Sequence, residues 1–179
     1  MQQSCARHGW AQDMTDLEIG MIKSGIQAVA DQTAVDQRFI LAVIMQESGG
    51  CVRVPASNNG VQNPGLMQDH NGVYTCNAAG NILYPCPQSQ INGMIMDGTA
   101  GTGNGDGLVA LIRQAAAHNQ GTSASGINTD FSQVYYQAAR LYNSGSTSPI
   151  WSNLNDPNGA TASYVNDIAN RLTGWLDAS

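Results

Sequence analysis

Apolar residues recur at helical spacing in the first third of the chain. Thr15 and Glu18 match a capping box, and the apolar positions that follow lie three or four residues apart: Ile19, Ile22, Ile26 and Val29. A second apolar run, residues 39–45, follows Asp36, a residue type that caps helices, and stops before Gly49 and Gly50. The pattern predicts one helix starting after Thr15 and a second from Gln37 to about Glu47.

The remaining chain alternates between loops and shorter helical stripes. Residues 51–88 hold four of the six prolines, which predicts an irregular segment with room for minor β-structure. Further helices are expected over 89–96 after a Ser89 cap, over 108–118, over 129–143 after a Thr129 cap, and over 160–176. Residues 97–107 are glycine-rich and residues 120–128 are polar, so both are expected to be loops. We therefore expect residues 1–179 to form one mainly α domain of six to seven helices.

Composition narrows the range of functions. Only 11% of residues are charged, the net charge is −6, and Lys23 is the single lysine. Such a surface offers no basic patch, so nucleic acid is not an expected partner. No apolar run is long enough to span a membrane, and the N-terminus lacks a signal-peptide apolar region. If the protein is secreted, the sequence is a mature form, and we expect a monomer.

Four cysteines occur, and none belongs to a C-x-x-C pair. An even number in a small, lysine-poor chain favours two disulfides and an oxidising compartment, with free buried thiols as the alternative. Of the three pairings, we favour Cys76–Cys86, which closes a short proline-rich loop, and Cys5–Cys51, which ties the N-terminal tail to the chain just after Glu47. No histidine has a partner at metal-ligand spacing, so no metal or cofactor is expected.

Glu47 is the strongest candidate for chemistry. It is one of two glutamates and lies on the same helical face as Ile40, Val43 and Ile44. Both an apolar surrounding and the negative end of the helix dipole raise the pKa of a carboxyl group. Glycosidases need such an acid to protonate the leaving oxygen. The alternative is a solvent-exposed glutamate at a fraying helix end.

Two further segments carry weaker signals. In the run from Asn63 to Gln68, Pro-Gly predicts a turn, Leu66 and Met67 can be buried, and the Gln68 amide can face a ligand. Tyr142 continues the apolar stripe of its helix, so its ring should face inward and its hydroxyl should find a partner, for which a protonated Glu47 is one candidate. The alternatives are ordinary turn packing and a core tyrosine followed by an Asn-Ser-Gly helix end.

Taken in order, three segments resemble glycoside hydrolase family 23, which contains soluble lytic transglycosylase domains and goose-type lysozymes. They are Gln46-Glu-Ser-Gly49, Gly65-Leu-Met-Gln68, and residues 139–145 with Tyr142-Asn143 at the centre. The resemblance spans about residues 19–145 and is greatest to secreted single-domain fungal members. It implies a lysozyme-like fold and a substrate of β-1,4-linked amino sugars, either peptidoglycan or chitin.

The resemblance also implies roles for individual residues. Glu47 matches the catalytic acid, Ser48 borders the cleft, and Tyr142 matches the tyrosine that supports the acid. The remaining matched positions are expected to bind sugar: Gly65, Leu66, Met67, Gln68 and Asn143. Asp69 lies one place earlier than a water-holding aspartate of goose-type lysozymes, so its catalytic role is an open question, and Asp97 is a more distant candidate.

These observations favour an extracellular muramidase that works best at acidic pH. Within the enzyme class the alternatives are a lytic transglycosylase, which needs no second carboxylate, and a chitinase. Outside it, a secreted glycan-binding protein keeps the groove without turnover, although the retained Glu47 argues against this alternative.

Overall fold

The computed structural model describes residues 1, 3–122 and 131–174, without the side chains of Thr122 and Phe131. Within these residues the fold is mainly helical. The helices are α1 (Ser4–Arg7), α2 (Asp16–Thr33), α3 (Gln37–Ser48), α4 (Gln88–Ala100), α5 (Leu108–Thr122), α6 (Phe131–Ser144) and α7 (Tyr164–Leu172), with a 3₁₀ turn at Ile150–Ser152. The expected mainly α class with six to seven helices is confirmed.

The irregular middle segment contains two small antiparallel hairpins. In the first, β1 (Ser57–Asn58) pairs with β2 (Gln62–Asn63), and in the second, β3 (Asn77–Ala78) pairs with β4 (Asn81–Ile82). Each strand is two residues long. The β-structure in this segment is therefore too small to form a layer of the core.

Helix α2 begins at the capping box that its sequence predicts. The side chain of Thr15 accepts a hydrogen bond from the backbone of Glu18, and Glu18 accepts one from the Thr15 backbone at 2.8 Å. Asp36 caps α3 by accepting from the backbone N–H of Arg38 at 2.8 Å. Gly49 ends α3 with φ of 58°, a backbone conformation that glycine adopts without strain.

The bounds of three helices, α4, α5 and α7, differ from the prediction. Helix α4 starts at Gln88 after Pro87 and continues to Ala100, beyond the predicted end near residue 96. Its last turns are buried at Gly98 and Thr99. The packing there is close, since a Cβ on Gly98 would lie only 2.5 Å from Cβ of Met67. Close packing against another segment thus keeps glycine-containing turns helical, which local propensity does not predict.

Helix α7 starts at Tyr164, four residues later than expected, and ends at Leu172. The buried guanidinium of Arg140 donates to the carbonyl oxygens of Leu154, Thr161 and Ala162, and these bonds hold the preceding segment outside a helix. Helix α5 runs to Thr122, beyond the predicted 118. The predicted Thr129 cap, loop residues 123–128 and helix residues 175–176 lie outside the described residues.

The core lies between α2, α3, α4 and the pair α5–α6, and α7 packs against α3 and α6. Its largest fully buried apolar side chains include Phe39, Ile40, Ile44, Leu66, Met67, Ile91, Met94 and Ile95. The disulfides are Cys5–Cys51 and Cys76–Cys86, as predicted. The first fixes α1 beside the end of α3, where Glu47 lies. No helix among the described residues combines the length and apolarity needed to cross a bilayer.

Candidate active site

Glu47 lies in the last turn of α3 and is half-buried. Its Oε1 accepts a hydrogen bond from Oη of Tyr164, at the start of α7, at a distance of 2.5 Å. The two residues are 117 positions apart in the chain. The acid is therefore exposed on one side and held by a buried phenol on the other.

Burial raises the pKa of Glu47 to about 7, while the hydrogen bond from Tyr164 acts in the opposite direction. The direction agrees with the sequence-based expectation. Desolvation favours the neutral acid, and the phenol stabilises the carboxylate that remains after the proton leaves. Between about pH 4.5 and pH 7 this site therefore presents a proton that an ordinary glutamate has already lost.

Tyr142 does not hold Glu47, contrary to the expectation from its sequence position. Its hydroxyl donates to the backbone carbonyl of Met67 at 2.8 Å. A Cβ on Gly98 would lie 2.9 Å from this hydroxyl, so α4 also packs against it. The reason for the difference is that Tyr164 of α7 occupies the position next to Glu47 that was expected for Tyr142. The sequence does not reveal that α7 approaches Glu47.

Tyr142 nevertheless lies among three carboxyl groups. Burial raises its pKa well above the ordinary value, and the charges of Glu47, Asp69 and Asp97 raise it further. The ring therefore marks where α3, α4, α6 and the segment after Gln68 come together.

In the segment 65–68, every residue except Gln68 is buried. Leu66 and Met67 are fully buried. Ser48 is also fully buried, and its Oγ lies 2.8 Å from the carbonyl oxygen of Leu66. At Gly65, φ is 77° and a Cβ would lie 2.7 Å from Cγ of Met94, so only glycine fits. In this structure Ser48, Leu66 and Met67 place the backbone of the turn and do not offer side chains to a ligand.

The amides of Gln68 and Asn143 are also engaged within the protein. Gln68 donates to the carbonyl of Gly65 at 3.1 Å and accepts from the backbone of Ser57 at 3.1 Å. The Asn143 oxygen accepts from Arg140 and from the backbone of Thr161, both at 3.0 Å. The oxygen atoms of both amides therefore position loops, and the prediction that these residues bind sugar stays a prediction.

Asp69 is only 4% exposed. Within the part of the chain that the structure describes, neither of its carboxylate oxygens has a hydrogen-bond partner in another residue. Burial, and then the charge of Asp97, raise the pKa of Asp69 to about 7. Its Oδ2 would lie 1.8 Å from a Cβ on Gly72, so this glycine makes room for the carboxyl group.

Asp97, in α4, is half-buried, and burial raises its pKa. Its Oδ2 accepts from the backbone N–H of Val73 at 3.2 Å. Among the described residues, Asp69 and Asp97 thus form an acidic pair beside Tyr142, in which Asp97 accepts a hydrogen bond from the backbone and the Asp69 carboxylate accepts none from another residue.

A separate cavity of about 250 Å³ lies at the opposite end of α3 from Glu47. It is lined by Asp36, Arg38, Phe39, Ser132, Tyr135, Tyr136 and Leu172. None of the residues predicted for catalysis or binding is among these.

Sequence reasoning missed Tyr164, whose hydroxyl bonds directly to the candidate acid. The prediction of helix 160–176 contained it, but the spacing of apolar residues there indicates only that the tyrosine is buried. A contact across 117 residues leaves no local signal.

Comparison with family models, curated proteins and solved structures finds no match for this chain. The site must therefore be interpreted from its own geometry. Among the described residues, no group of three His, Cys, Asp or Glu side chains is arranged to hold a metal ion. What the geometry offers is a proton on Glu47, a phenol to stabilise the resulting charge, and two nearby aspartates.

Proposed function

We propose that the protein is a muramidase, secreted in its native setting, that cleaves β-1,4 bonds between the amino sugars of peptidoglycan. The observation that carries this proposal is the half-buried Glu47, whose pKa is about 7 and whose carboxyl group is held by Tyr164. A carboxylic acid that keeps its proton near neutral pH is what a general acid in glycoside cleavage requires. The two disulfides suit an oxidising compartment.

In the proposed reaction, Glu47 donates its proton to the glycosidic oxygen as the bond to the sugar carbon breaks. General-acid catalysis of this kind contributes roughly 10²–10⁴ in rate. The carboxylate left behind accepts the hydrogen bond from Tyr164, which lowers its free energy in the place where negative charge develops. Tyr142 keeps the 65–68 turn against α6 and thereby shapes the floor beside the acid.

Asp69 separates two versions of this proposal. Hydrolysis with inversion needs an ionised base to activate water, and Asp69 is the candidate. However, Glu47 and Asp69 both have a pKa of about 7. At pH 7, half of each is in the required form, so about a quarter of the molecules have a protonated Glu47 and an ionised Asp69 if the two titrate independently.

A lytic transglycosylase is the second candidate, and the burial of Asp69 favours it. In that reaction the 6-hydroxyl of the sugar attacks, so no ionised Asp69 is needed. Activity should then rise as the pH falls below 7 and level off, whereas inverting hydrolysis should give a narrow optimum centred near pH 7. The net charge of −6 also opposes binding to anionic walls at neutral pH. An optimum above about pH 8 contradicts both versions, because Glu47 is then ionised.

The direct test is the variant Glu47→Gln in a turbidity assay on bacterial cell walls. We expect the variant to fold and to lose lysis, while Asp36→Asn, the same carboxyl-to-amide change at the other end of α3, keeps wild-type lysis. Wild-type lysis by Glu47→Gln refutes the assignment of Glu47. Binding to walls without lysis by the wild-type protein indicates a glycan-binding protein instead.

The products decide among the enzymes. Mass spectrometry of released muropeptides shows reducing ends after hydrolysis and 1,6-anhydro ends after transglycosylation. Cleavage of chitin oligomers, with intact peptidoglycan left unchanged, indicates a chitinase.

A further inference from the structure

The neighbours of Glu47 and Tyr164 in the chain are also joined to each other. Gln46 precedes Glu47, and its Nε2 donates to Oδ2 of Asp167 at 3.3 Å. The same oxygen accepts from Oγ of Ser163 at 2.8 Å, and Ser163 precedes Tyr164. Two links therefore run between α3 and the start of α7, one through the acid and its phenol and one through Asp167.

The other end of the Gln46 amide also bonds to α7. Its Oε1 accepts from Nε of Arg171 at 2.9 Å. Asp167 and Arg171 are four residues apart, so they lie one above the other on the same face of the helix. Asp167 is only 4% exposed. One amide thus contacts two successive turns of α7, and its partner Asp167 is shielded from water.

Helix α7 needs such contacts to hold its position. It has nine residues, which is too short for a helix to be stable on its own. Its buried apolar residues, Val165 and Ile168, contribute a non-directional attraction to the core. Hydrogen bonds depend on distance and angle, so the bonds to Asp167 define the rotation of the helix in a way that apolar contacts do not.

We propose that Asp167 is a positioning residue that keeps the hydroxyl of Tyr164 on Glu47 by tying Gln46 to Ser163. Its catalytic meaning rests on the proposed role of Glu47 as the general acid. The positioning itself is a property of the folded protein and can be measured without substrate.

Several other titratable and charged groups lie near Glu47 and Tyr164. Tyr164 of α7 donates a hydrogen bond to Glu47, and Tyr142 of α6 lies close enough for the charge of Glu47 to raise its pKa. The charges of Asp69 and Asp97 also raise the pKa of Tyr142, and the charge of Arg140 lowers the pKa of Tyr164. Burial and Tyr164 set the pKa of Glu47. We therefore expect Asp167 to influence that pKa by holding Tyr164 in place.

The chain suits a direct titration because it contains only two glutamates. With ¹³C-labelled glutamate carboxyl groups, NMR should show Glu47 titrating near pH 7 and Glu18 near pH 2. In Tyr164→Phe, the pKa of Glu47 should rise by about one unit, because the carboxylate loses its hydrogen bond. In Asp167→Ala, it should rise by about half a unit. Combining both changes should give no more than the Tyr164→Phe shift, because both act through the same bond.

The matched control is Gln88→Ala. The Gln88 amide bridges α2 and α4 by donating to the carbonyl of Met21 at 3.0 Å and to Asn92 at 2.7 Å, and neither bond involves α3 or α7. This change should lower thermal stability and leave the Glu47 titration unchanged. If Asp167→Ala fails to fold, Ser163→Ala removes one of the two bonds to Asp167 and should shift the titration in the same direction.

An unchanged Glu47 titration in the folded Asp167 or Ser163 variant overturns the proposal, as does a shift that adds fully to that of Tyr164→Phe. Failure of the wild-type protein to lyse cell walls removes the proposed function but does not alter these outcomes.

Discussion

Glu18→Gln is expected to remove the pH-dependent stabilisation that the buried Glu18–Arg53 ion pair contributes. Glu18 and Arg53 are both fully buried, and their closest approach is 2.5 Å. Glu18 also accepts hydrogen bonds from the backbones of Thr15 and Cys86, each at 2.8 Å. Burial alone would raise the pKa of Glu18, but these bonds outweigh it and lower the pKa to about 2.

The magnitude follows from the difference between the folded and unfolded states. The pKa is about 2 when folded and 4.5 in the reference state. A lowered pKa means that the stabilisation is present above 4.5 and disappears as the pH falls towards 2. It amounts to about 3 kcal/mol at pH 6, about 1 kcal/mol at pH 3 and less than about 1 kcal/mol at pH 2. Gln resembles the protonated acid, so the variant should lack this contribution at every pH.

The assay is urea unfolding of the oxidised protein, followed by tryptophan fluorescence and circular dichroism at pH 3, 4 and 6. The variant should be about 3 kcal/mol less stable than the wild type at pH 6 and about 1 kcal/mol less stable at pH 3. Other carboxyl groups affect both proteins alike and cancel in the difference. Asp36→Asn serves as the control, because its partner Arg38 is 82% exposed and such pairs contribute at most about 1 kcal/mol.

A difference between wild type and Glu18→Gln that stays constant from pH 3 to pH 6 would refute the reasoning. It would mean that Glu18 titrates at its ordinary pKa and that the ion pair does not favour the charged form. A large, pH-dependent loss in the Asp36→Asn control would equally show that burial does not distinguish the two pairs.

Three further outcomes are expected. Gly98→Ala should cost about 1–3 kcal/mol and weaken cell-wall lysis, because the new methyl group meets Met67 and Tyr142; thermal unfolding and turbidity measure these. For Asp69→Asn, stability relative to the wild type should increase by up to about 4 kcal/mol from pH 4 to pH 8, because a pKa of about 7 makes the charged carboxylate unfavourable; urea unfolding at both pH values tests this. Replacing Cys76 and Cys86 together by serine should cost about 2–3 kcal/mol at neutral pH in the same assay.

Features that depend on neighbours in the chain could be predicted from the sequence. The capping box at Thr15, the Asp36 cap and the glycine end of α3 are each local patterns, and the structure contains all three. The mainly α class follows from several such stripes in succession. The pairing of four cysteines was also predicted, since one pair closes a short loop and leaves the other two to join.

Apart from the Cys5–Cys51 disulfide, features that depend on distant segments were predicted wrongly or not at all. The predicted end of α4 was too early, because packing of Gly98 against Met67 decides where that helix ends. The predicted start of α7 was too early, because Arg140 donates hydrogen bonds to the backbone carbonyls of Thr161 and Ala162 before it. The Glu18 capping box was predicted, but its pairing with Arg53, 35 residues further along, was not. No spacing rule connects such residues.

The two tyrosines near Glu47 show why this limit matters for chemistry. The hydroxyl of Tyr142 bonds to a backbone carbonyl, whose charge does not change during a reaction, so this bond is the same before and after Glu47 loses its proton. The hydroxyl of Tyr164 bonds to the carboxyl group itself and stabilises one protonation state over the other. Tyr142 therefore determines where the turn beneath the acid lies, and Tyr164 determines how readily the acid gives up its proton. A sequence pattern can place a tyrosine near the acid, but it does not distinguish these two effects. They differ because the two hydroxyl groups have different hydrogen-bond partners, which only the structure shows.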